Sequence, residues 1–372
     1  MLVPVAELFY CPLTKQDLHF RACPTDWKWN AWELLAERYA LGNIIGILET
    51  SDGGVAYPVW KELFGLLPEF ARLDETVIHL SATVGLRHEK KEVARFYDEF
   101  GWIEGADGNF NDALSFEDLR EVTSFYRTRC HRRVNKFLSG GKYLLDVASG
   151  PVQIPEYKTF SHGYERRICV DISINGLLKA KQRLGDHAIC VVGDITALPL
   201  QTGVVDSFVS LHTIYHVPAD EQSIAVSELY RVMKPGGTGV IAYSWGARAL
   251  MYRMIERIER WVPGLSRTDI QNDRFPPGVD LYFSPHDYSW YRREIAKRFP
   301  TKLRVWRSVG KEFLEHFVRG KISAKLLLWP LYALEQTFPW AFGRIGLCPM
   351  FVLTKPQKRP EIGRGVSSKP LK

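Results

Sequence analysis

Apolar residues gather in short unbroken runs through the middle of the chain, and each run stops at an acid or a small polar residue. Tyr143-Leu144-Leu145 ends on Asp146, Ile168-Cys169-Val170 on Asp171, and Ile189-Cys190-Val191-Val192 on Gly193-Asp194. Residues 204–211 and 238–243 continue the series, the second after the turn Lys234-Pro235-Gly236-Gly237. Stretches of helical period separate the runs. Near-continuous apolar strands alternating with helices predict a parallel sheet covered on both faces. Ligands of such sheets sit outside the carboxyl ends of the strands, where the strand order reverses. The terminal acids therefore aim at one crevice.

On the amino-terminal side, residues 92–102 carry apolar positions at helical spacing and stop near Gly101. Residues 116–138 continue as a basic amphipathic helix whose Arg127, Arg129, Arg132 and Arg133 are expected on a solvated face. Beyond the fifth strand the pattern predicts helix over 248–261, a loop-rich segment over 263–285 and helix again over 288–299. A strand at 302–306, a long helix at 326–338 and a last strand at 350–353 complete it. Near the start, apolar runs at 47–50 and 55–59 flank Ser51-Asp52-Gly53-Gly54, a hairpin turn signal.

The stretch 143–157 resembles the first motif of the class I S-adenosylmethionine methyltransferases, in which an apolar pair precedes D/E-x-G-x-G-x-G. Aligned on Asp146, the three glycine positions hold Ala148, Gly150 and Val152. The later acids, and the run from Glu228 to Gly237, match that family's order and spacing through residue 245. The expected fold is α/β: a doubly wound seven-stranded Rossmann-like methyltransferase sheet, closed by an antiparallel pair and carrying added C-terminal helices. A small N-terminal ribbon-like α+β module precedes it, because residues 7–15 and 47–59 are similar to the zinc-ribbon-like activator subunits of methyltransferases. Residues 19–45, with Trp27, Trp29 and Trp32, read as an insertion in that module. The expected boundaries are 1–75 for the module, 76–142 for a helical lead-in and cofactor lid, and 143–354 for the catalytic domain. An insertion at 247–300 and a basic tail at 355–372 are also expected.

The resemblance implies S-adenosylmethionine as cofactor and a role for each motif residue. Asp146 is expected at the ammonium, and the loop of Ala148, Ser149, Gly150 and Pro151 at the carboxylate, where backbone N–H groups suit an anion. Gly150 would let the ligand approach the backbone where a Cβ would collide. Asp171 would accept both ribose hydroxyls, Ile172 would pack on the adenine, and Asp194 with Ile195 would meet the adenine amino edge. Leu211 and Tyr97 complete the expected lining, with Trp102 as a core aromatic. Methyl transfer to oxygen or carbon also needs a proton removed, which suits an imidazole. His212 and His216, after the fourth strand, are the candidate bases, with His286 and Asp287 behind them. Asp206, at the opposite end of that strand, reads as structural.

Composition narrows the picture. The net charge of +7 owes much to the tail from Lys355, where six cations face only Glu361, so an anionic partner for the whole surface is not required. Scattered cysteines without a CxxC pair exclude a disulfide framework and fit a reduced compartment, hence an expected cytoplasmic location. No secretory signal is read at the N-terminus. Thr14 stands where a ribbon would place a second thiolate after Cys11, so no metal is expected, with Cys23 and His19 the nearest other ligands. The apolar stretch 326–343 is interrupted by Pro330, Glu335 and Pro339 and does not read as a span; with the basic tail it offers weak contact with a membrane surface.

The expected partner is a small-molecule methyl acceptor, with O- or C-methylation favoured and no DNA. An RNA or protein acceptor is the alternative, as is a catalytically silent scaffold of the same fold. A nicotinamide enzyme is disfavoured, because Gly150 lacks the flanking glycines of G-x-G-x-x-G. The module 1–75 is expected to dock through Tyr57, Val59, Phe64 and Leu66.

Overall fold

The computed structural model describes residues 3–23, 30–61, 63–73, 85–261 and 280–357. Trp27, Trp29, most of the linker 76–90, residues 263–279 of the 263–285 segment and nearly all of the basic tail lie outside these residues. Twelve strands follow one another: β1 (Leu18–Ala22), β2 (Ile44–Thr50), β3 (Val55–Trp60), β4 (Phe64–Gly65), β5 (Arg72–Leu73), β6 (Gly141–Val147), β7 (Tyr164–Asp171), β8 (Ala188–Val192), β9 (Val205–Leu211), β10 (Met233–Ala242), β11 (Thr301–Arg307) and β12 (Cys348–Thr354). They form one sheet in the order β1-β2-β3-β4-β8-β7-β6-β9-β10-β12-β11, with β5 beside β3.

The seven strands β6 to β12 make the expected α/β unit. Pairing is parallel from β8 to β10, and β12 runs antiparallel between β10 and β11. Alternation along each strand feeds two cores. Ile168 and Val170 face one side with Ala225, Val226 and Leu229 of the helix Gln222–Val232. Cys169 and Cys190 face the other with Leu177 and Ala180 of the helix Ile174–Leu184. Burial on both faces is why these strands read as unbroken apolar runs. At the amino ends, the Asp206 carboxylate accepts the N–H groups of Lys142 and Tyr143 and pairs with Lys234 at 2.7 Å, clamping β6, β9 and β10 together.

The first 73 residues do not stand apart as a separate body. β4 pairs in parallel with β8, Phe64 opposite Val191 and Gly65 opposite Val192. Tyr57, Val59, Phe64 and Leu66 are buried in the same core as Leu145 and Ile168. Ile47, Ala56, Trp60 and Leu67 join the core on the opposite face. The segment expected as an insertion contributes β1, in register with β2 from Leu18 opposite Thr50, and the helix Asn30–Tyr39. The Cys11 thiol lies 3.5 Å from the Tyr57 hydroxyl and accepts the Thr14 N–H, so the knuckle is closed by hydrogen bonds. His19, exposed on β1, bonds Ser51 at 2.9 Å instead of turning towards Cys11. Among the described residues, no three His, Cys, Asp or Glu side chains gather as metal ligands.

The basic helix differs from expectation. It spans Glu121–His131 and tightens into a 3₁₀ turn over Arg132–Phe137. Arg133 is buried and pairs with Glu335 at 2.7 Å, while donating to the Trp306 carbonyl. Arg129 lies over the Trp329 ring, 4.7 Å from its centroid. Two of the four arginines therefore bind the long C-terminal helix, Lys321–Thr337, to the domain.

A chain beginning at residue 74 would leave β8 as a raw parallel edge and bare the apolar residues under β3 and β4. It is expected to be recovered mainly as aggregate, and the full chain as a monodisperse species. Light scattering on the two proteins checks this, and a soluble fragment with the parent melting temperature would contradict it.

Candidate functional site

The carboxyl ends of β6, β7, β8 and β9 open on a cavity of about 450 Å³, inside the range of small-molecule sites. Strand order reverses between β6 and β9, so the cavity stands at the topological switch point. Tyr97, Asp146, Ala148, Ser149, Asp171, Ile172, Asp194, Ile195, Leu211, His212 and His216 all line it.

Gly150 and Pro151 do not. A Cβ on Gly150 would lie 2.5 Å from the indole of Trp102, so the space that glycine opens is filled by Trp102. Trp102 in turn stacks on Tyr97, with centroids 4.5 Å apart, and both line the cavity. The turn Tyr97–Gly101 that carries this pair is a π-helical continuation of the helix His88–Phe96.

The loop after β6 keeps the conformation of its lost glycines. Ala148, Gly150 and Val152 have φ of 53°, 48° and 51°. These are the three positions at which the family motif carries glycine. An L-residue there costs roughly 1–2 kcal/mol. Val152 offsets this by burying its side chain among Ile174, Leu177 and Cys169. Half-buried Ala148 has less to gain.

The three acids differ in their neighbours. Asp146 is ion-paired in the interior with Arg167 of β7, whose Nε stands 3.0 Å away. Its charge is thus already matched by a protein cation. Asp194 is held by Lys90 at 2.7 Å, and the Thr196 N–H and hydroxyl bond the same carboxylate. Lys90 also reaches Glu221 at 2.6 Å. The Asp194 oxygen facing Lys90 is therefore occupied, and an adenine amino group would have to share it. Lys90 escaped the sequence reading, although a signal existed: it is a charge on the stripe of Val93 and Tyr97, which face the cavity.

Among the described residues, no cation pairs with Asp171. One oxygen accepts the Gly150 N–H and the other the Ser173 N–H, both at 2.8 Å. Burial pushes its carboxyl up to about 7, against those N–H bonds that favour the anion. Since a carboxylate offers about four acceptor positions, two remain for a ligand. Ser173 is fixed by Asp98, which also accepts the Tyr39 hydroxyl at 3.0 Å.

The two histidines are unlike. His216 Nδ1 lies 2.6 Å from the Tyr282 carbonyl oxygen. A carbonyl only accepts, so Nδ1 carries the proton and Nε2 the lone pair. Burial pushes this imidazole down to about 4, leaving it neutral at pH 7. His212 has a φ of 58° and meets the Trp306 ring edge-on at 4.2 Å; burial pushes it to about 3. His286 bonds the Ala219 carbonyl and stacks on Trp290, and Asp287 caps the next short helix, so neither serves the cavity.

The cavity also holds residues that the sequence did not single out. Tyr215, Tyr252, Leu281 and Phe283 give it apolar walls, and Glu117 with Arg307 closes it by an ion pair at 2.5 Å. Although burial opposes it, the Arg307 guanidinium holds Glu117 well below the usual carboxylate range. Asp112, donated to by Gln153, is pushed by burial to about 6.

Replacing Ala148 with glycine should relieve the strained φ without removing a buried side chain. The variant is expected to be more stable by about 1 kcal/mol, read from denaturant unfolding. A loss of stability would show that the loop is not strained at this position.

Residues 145–241 match the family described as Methyltransferase domain. Over 103 residues the chain is 34% identical to the ubiquinone/menaquinone biosynthesis C-methyltransferase of Cereibacter sphaeroides, covering 26% of this chain and 40% of that protein. It is 27% identical over 189 residues to the demethylmenaquinone methyltransferase of Renibacterium salmoninarum, covering 49% and 75%. A solved phosphoethanolamine N-methyltransferase 2 of Haemonchus contortus superposes with a TM-score of 0.45 at 13% identity, over 91% of this chain and 77% of that one. The chain thus spans less than half the length of the Cereibacter relative. The match to a methyltransferase domain over residues 145–241 thus falls on the strands and helices of a Rossmann-like α/β sheet.

Proposed function

We propose that the protein transfers a methyl group from S-adenosylmethionine to a small-molecule acceptor at oxygen or carbon. The observation that carries this reading is the convergence of Asp171, Ile172, Asp194 and Ile195 on one cavity with His216. The fit to the cofactor rests on Asp171, a buried carboxylate with acceptor capacity to spare and, among the described residues, no cation paired with it. When bound, the cofactor supplies an electrophilic methyl group. Asp171 would hold the ribose hydroxyls, Ile172 would pack against the adenine, and the Ile195 N–H would meet its edge. Tyr97 and Trp102 cover the same region and exclude water. Asp146, neutralised by Arg167, keeps the β6–β7 end rigid.

The acceptor would lie against Tyr215, Tyr252, Leu281 and Phe283, walls suited to an apolar ring. His216 Nε2 would take its proton, and the Tyr282 carbonyl would stabilise the imidazolium through Nδ1–H. His212, with its strained backbone against Trp306, shapes the wall beside it. An aromatic hydroxyl or a ring carbon next to one is the acceptor class these walls favour, in keeping with the quinone substrate in the name of the Renibacterium relative.

Cofactor affinity should follow the Asp171 proton. The native carboxyl is raised, so its contribution to stability is full below the unfolded value and is lost as pH rises through about 7. Binding to the carboxylate shows the opposite trend. Affinity for S-adenosylhomocysteine, measured by calorimetry, is expected to rise from pH 6 to 8. Asp171→Asn should weaken binding by about 10–100-fold and flatten that slope. Unchanged affinity in the variant would remove Asp171 from the cofactor site, and absence of binding by the parent would favour a silent scaffold.

The base assignment has its own readout. With demethylmenaquinone and simple phenols as probes, His216→Gln is expected to lower the rate of labelled methyl transfer by about 100-fold or more. Its affinity for S-adenosylhomocysteine should stay at the parent value. Parent-like turnover in His216→Gln would transfer the role elsewhere.

A further inference from the structure

The helix Lys321–Thr337 and its continuation Pro339–Ile345 lie on the outside of the domain. The inner stripe, Ala324 and Leu328 with Glu335, packs against Tyr126 and Cys130 of the helix Glu121–His131. The outer stripe is also apolar. Ile322, Leu326 and Trp329, at helical spacing, are 77%, 70% and 47% exposed, and Leu327, Leu334, Phe338 and Trp340 enlarge the patch. A surface helix with a buried inner face normally turns polar residues outward, so this much apolar surface marks a contact.

The charges around the patch identify its occupant. From residue 319 to 344 the cations are Arg319, Lys321, Lys325 and Arg344, and the one acid is Glu335. Glu335 is fully buried and consumed by Arg133, Tyr126 and Ser308. Exposed Arg129 adds a further cation beside Trp329. A second copy meeting this face about a two-fold axis would bring like charges together. Two indoles, protruding aliphatic side chains and a cationic fringe instead match the interface of an anionic bilayer. No described helix is long and apolar enough to cross a membrane. The contact is thus one of lying on the surface.

We propose that the outer face of 321–345 docks the protein on anionic lipid membranes, with Ile322, Leu326, Trp329 and Trp340 entering the acyl boundary and the lysines and arginines meeting the headgroups. The face adjoins the cavity through one element. In the helix Leu250–Trp261, Met251 packs against the same buried cluster as the inner stripe, and the next residue, Tyr252, lines the cavity. Docking would therefore hold that wall of the cavity near the lipid.

Vesicle flotation with the full-length protein tests the proposal. Binding is expected to vesicles of phosphatidylcholine mixed with phosphatidylglycerol, to be weak on phosphatidylcholine alone, and to fall with added salt. The double variant Ile322→Ser/Leu326→Ser should bind the mixed vesicles about tenfold or more less tightly. Lys321→Glu/Lys325→Glu should abolish the preference for anionic lipid. Both pairs are exposed, so melting temperature and S-adenosylhomocysteine affinity should stay at parent values. This separates the docking claim from the catalytic one. Absence of vesicle binding by the parent would overturn the proposal. So would a concentration-dependent dimer in sedimentation that Leu326→Ser abolishes, since the face would then belong to a second copy.

Discussion

The site depends on a left-handed turn of backbone between β6 and the residues that follow it. Ala148, Gly150 and Val152 alternate through positive φ, and this places the Gly150 N–H on Asp171 and the Gly150 Cα against Trp102. An ordinary turn would swing that N–H away, leaving a buried carboxylate short of a donor. It would also unseat the indole that stacks on Tyr97. The strain at Ala148 and Val152 is a local cost sustained by surrounding order. Val152 is anchored in the core, and the Ala148 N–H is tied to the Val170 carbonyl.

That order extends to the other end of the chain. Tyr39, in a helix of the N-terminal strands, bonds Asp98; Asp98 bonds Ser173; and the Ser173 N–H bonds Asp171. Three side chains thus connect the amino-terminal segment to the carboxylate at the end of β7. Meanwhile β4 donates its short edge to β8 and shares both cores with the central sheet. Fusion of the segment into the sheet buries, under the strands beside it, the apolar residues that a free module would have to hide.

How much of this was legible depends on how far apart the interacting residues lie. β6 to β10 were readable because each is buried on both faces and so writes its whole length in apolar letters. β4 was not, since two residues pairing through backbone leave no pattern. The positions of Asp146, Asp171 and Asp194 were readable from the strand ends, but their partners were not. Arg167 is one strand away from Asp146 in sequence and directly beside it in space. Lys90 is 104 residues from Asp194. The arginines on the helix Glu121–His131 misled for a related reason: a periodic row of cations looks solvated until a second helix supplies Glu335 and Trp329. The imidazoles were visible as types, whereas the proton on His216 Nδ1 is decided by the carbonyl of Tyr282.

The partners of the acids carry the last step. A carboxylate already matched by a buried cation gains little from a second one, and this describes Asp146 and Asp194. Asp171 receives only N–H bonds, which favour its anion; burial, with Asp98 and Asp146 adding like charge, outweighs them and holds its proton to about pH 7. A ligand whose hydroxyls and positive charge arrive together would do for Asp171 what Arg167 does for Asp146. It would stabilise the anion and drive the proton off. On the proposed reading, one of the three strand-end acids is therefore left incomplete, and the cofactor completes it. The paired acids fix the frame, and the unpaired one responds to what enters.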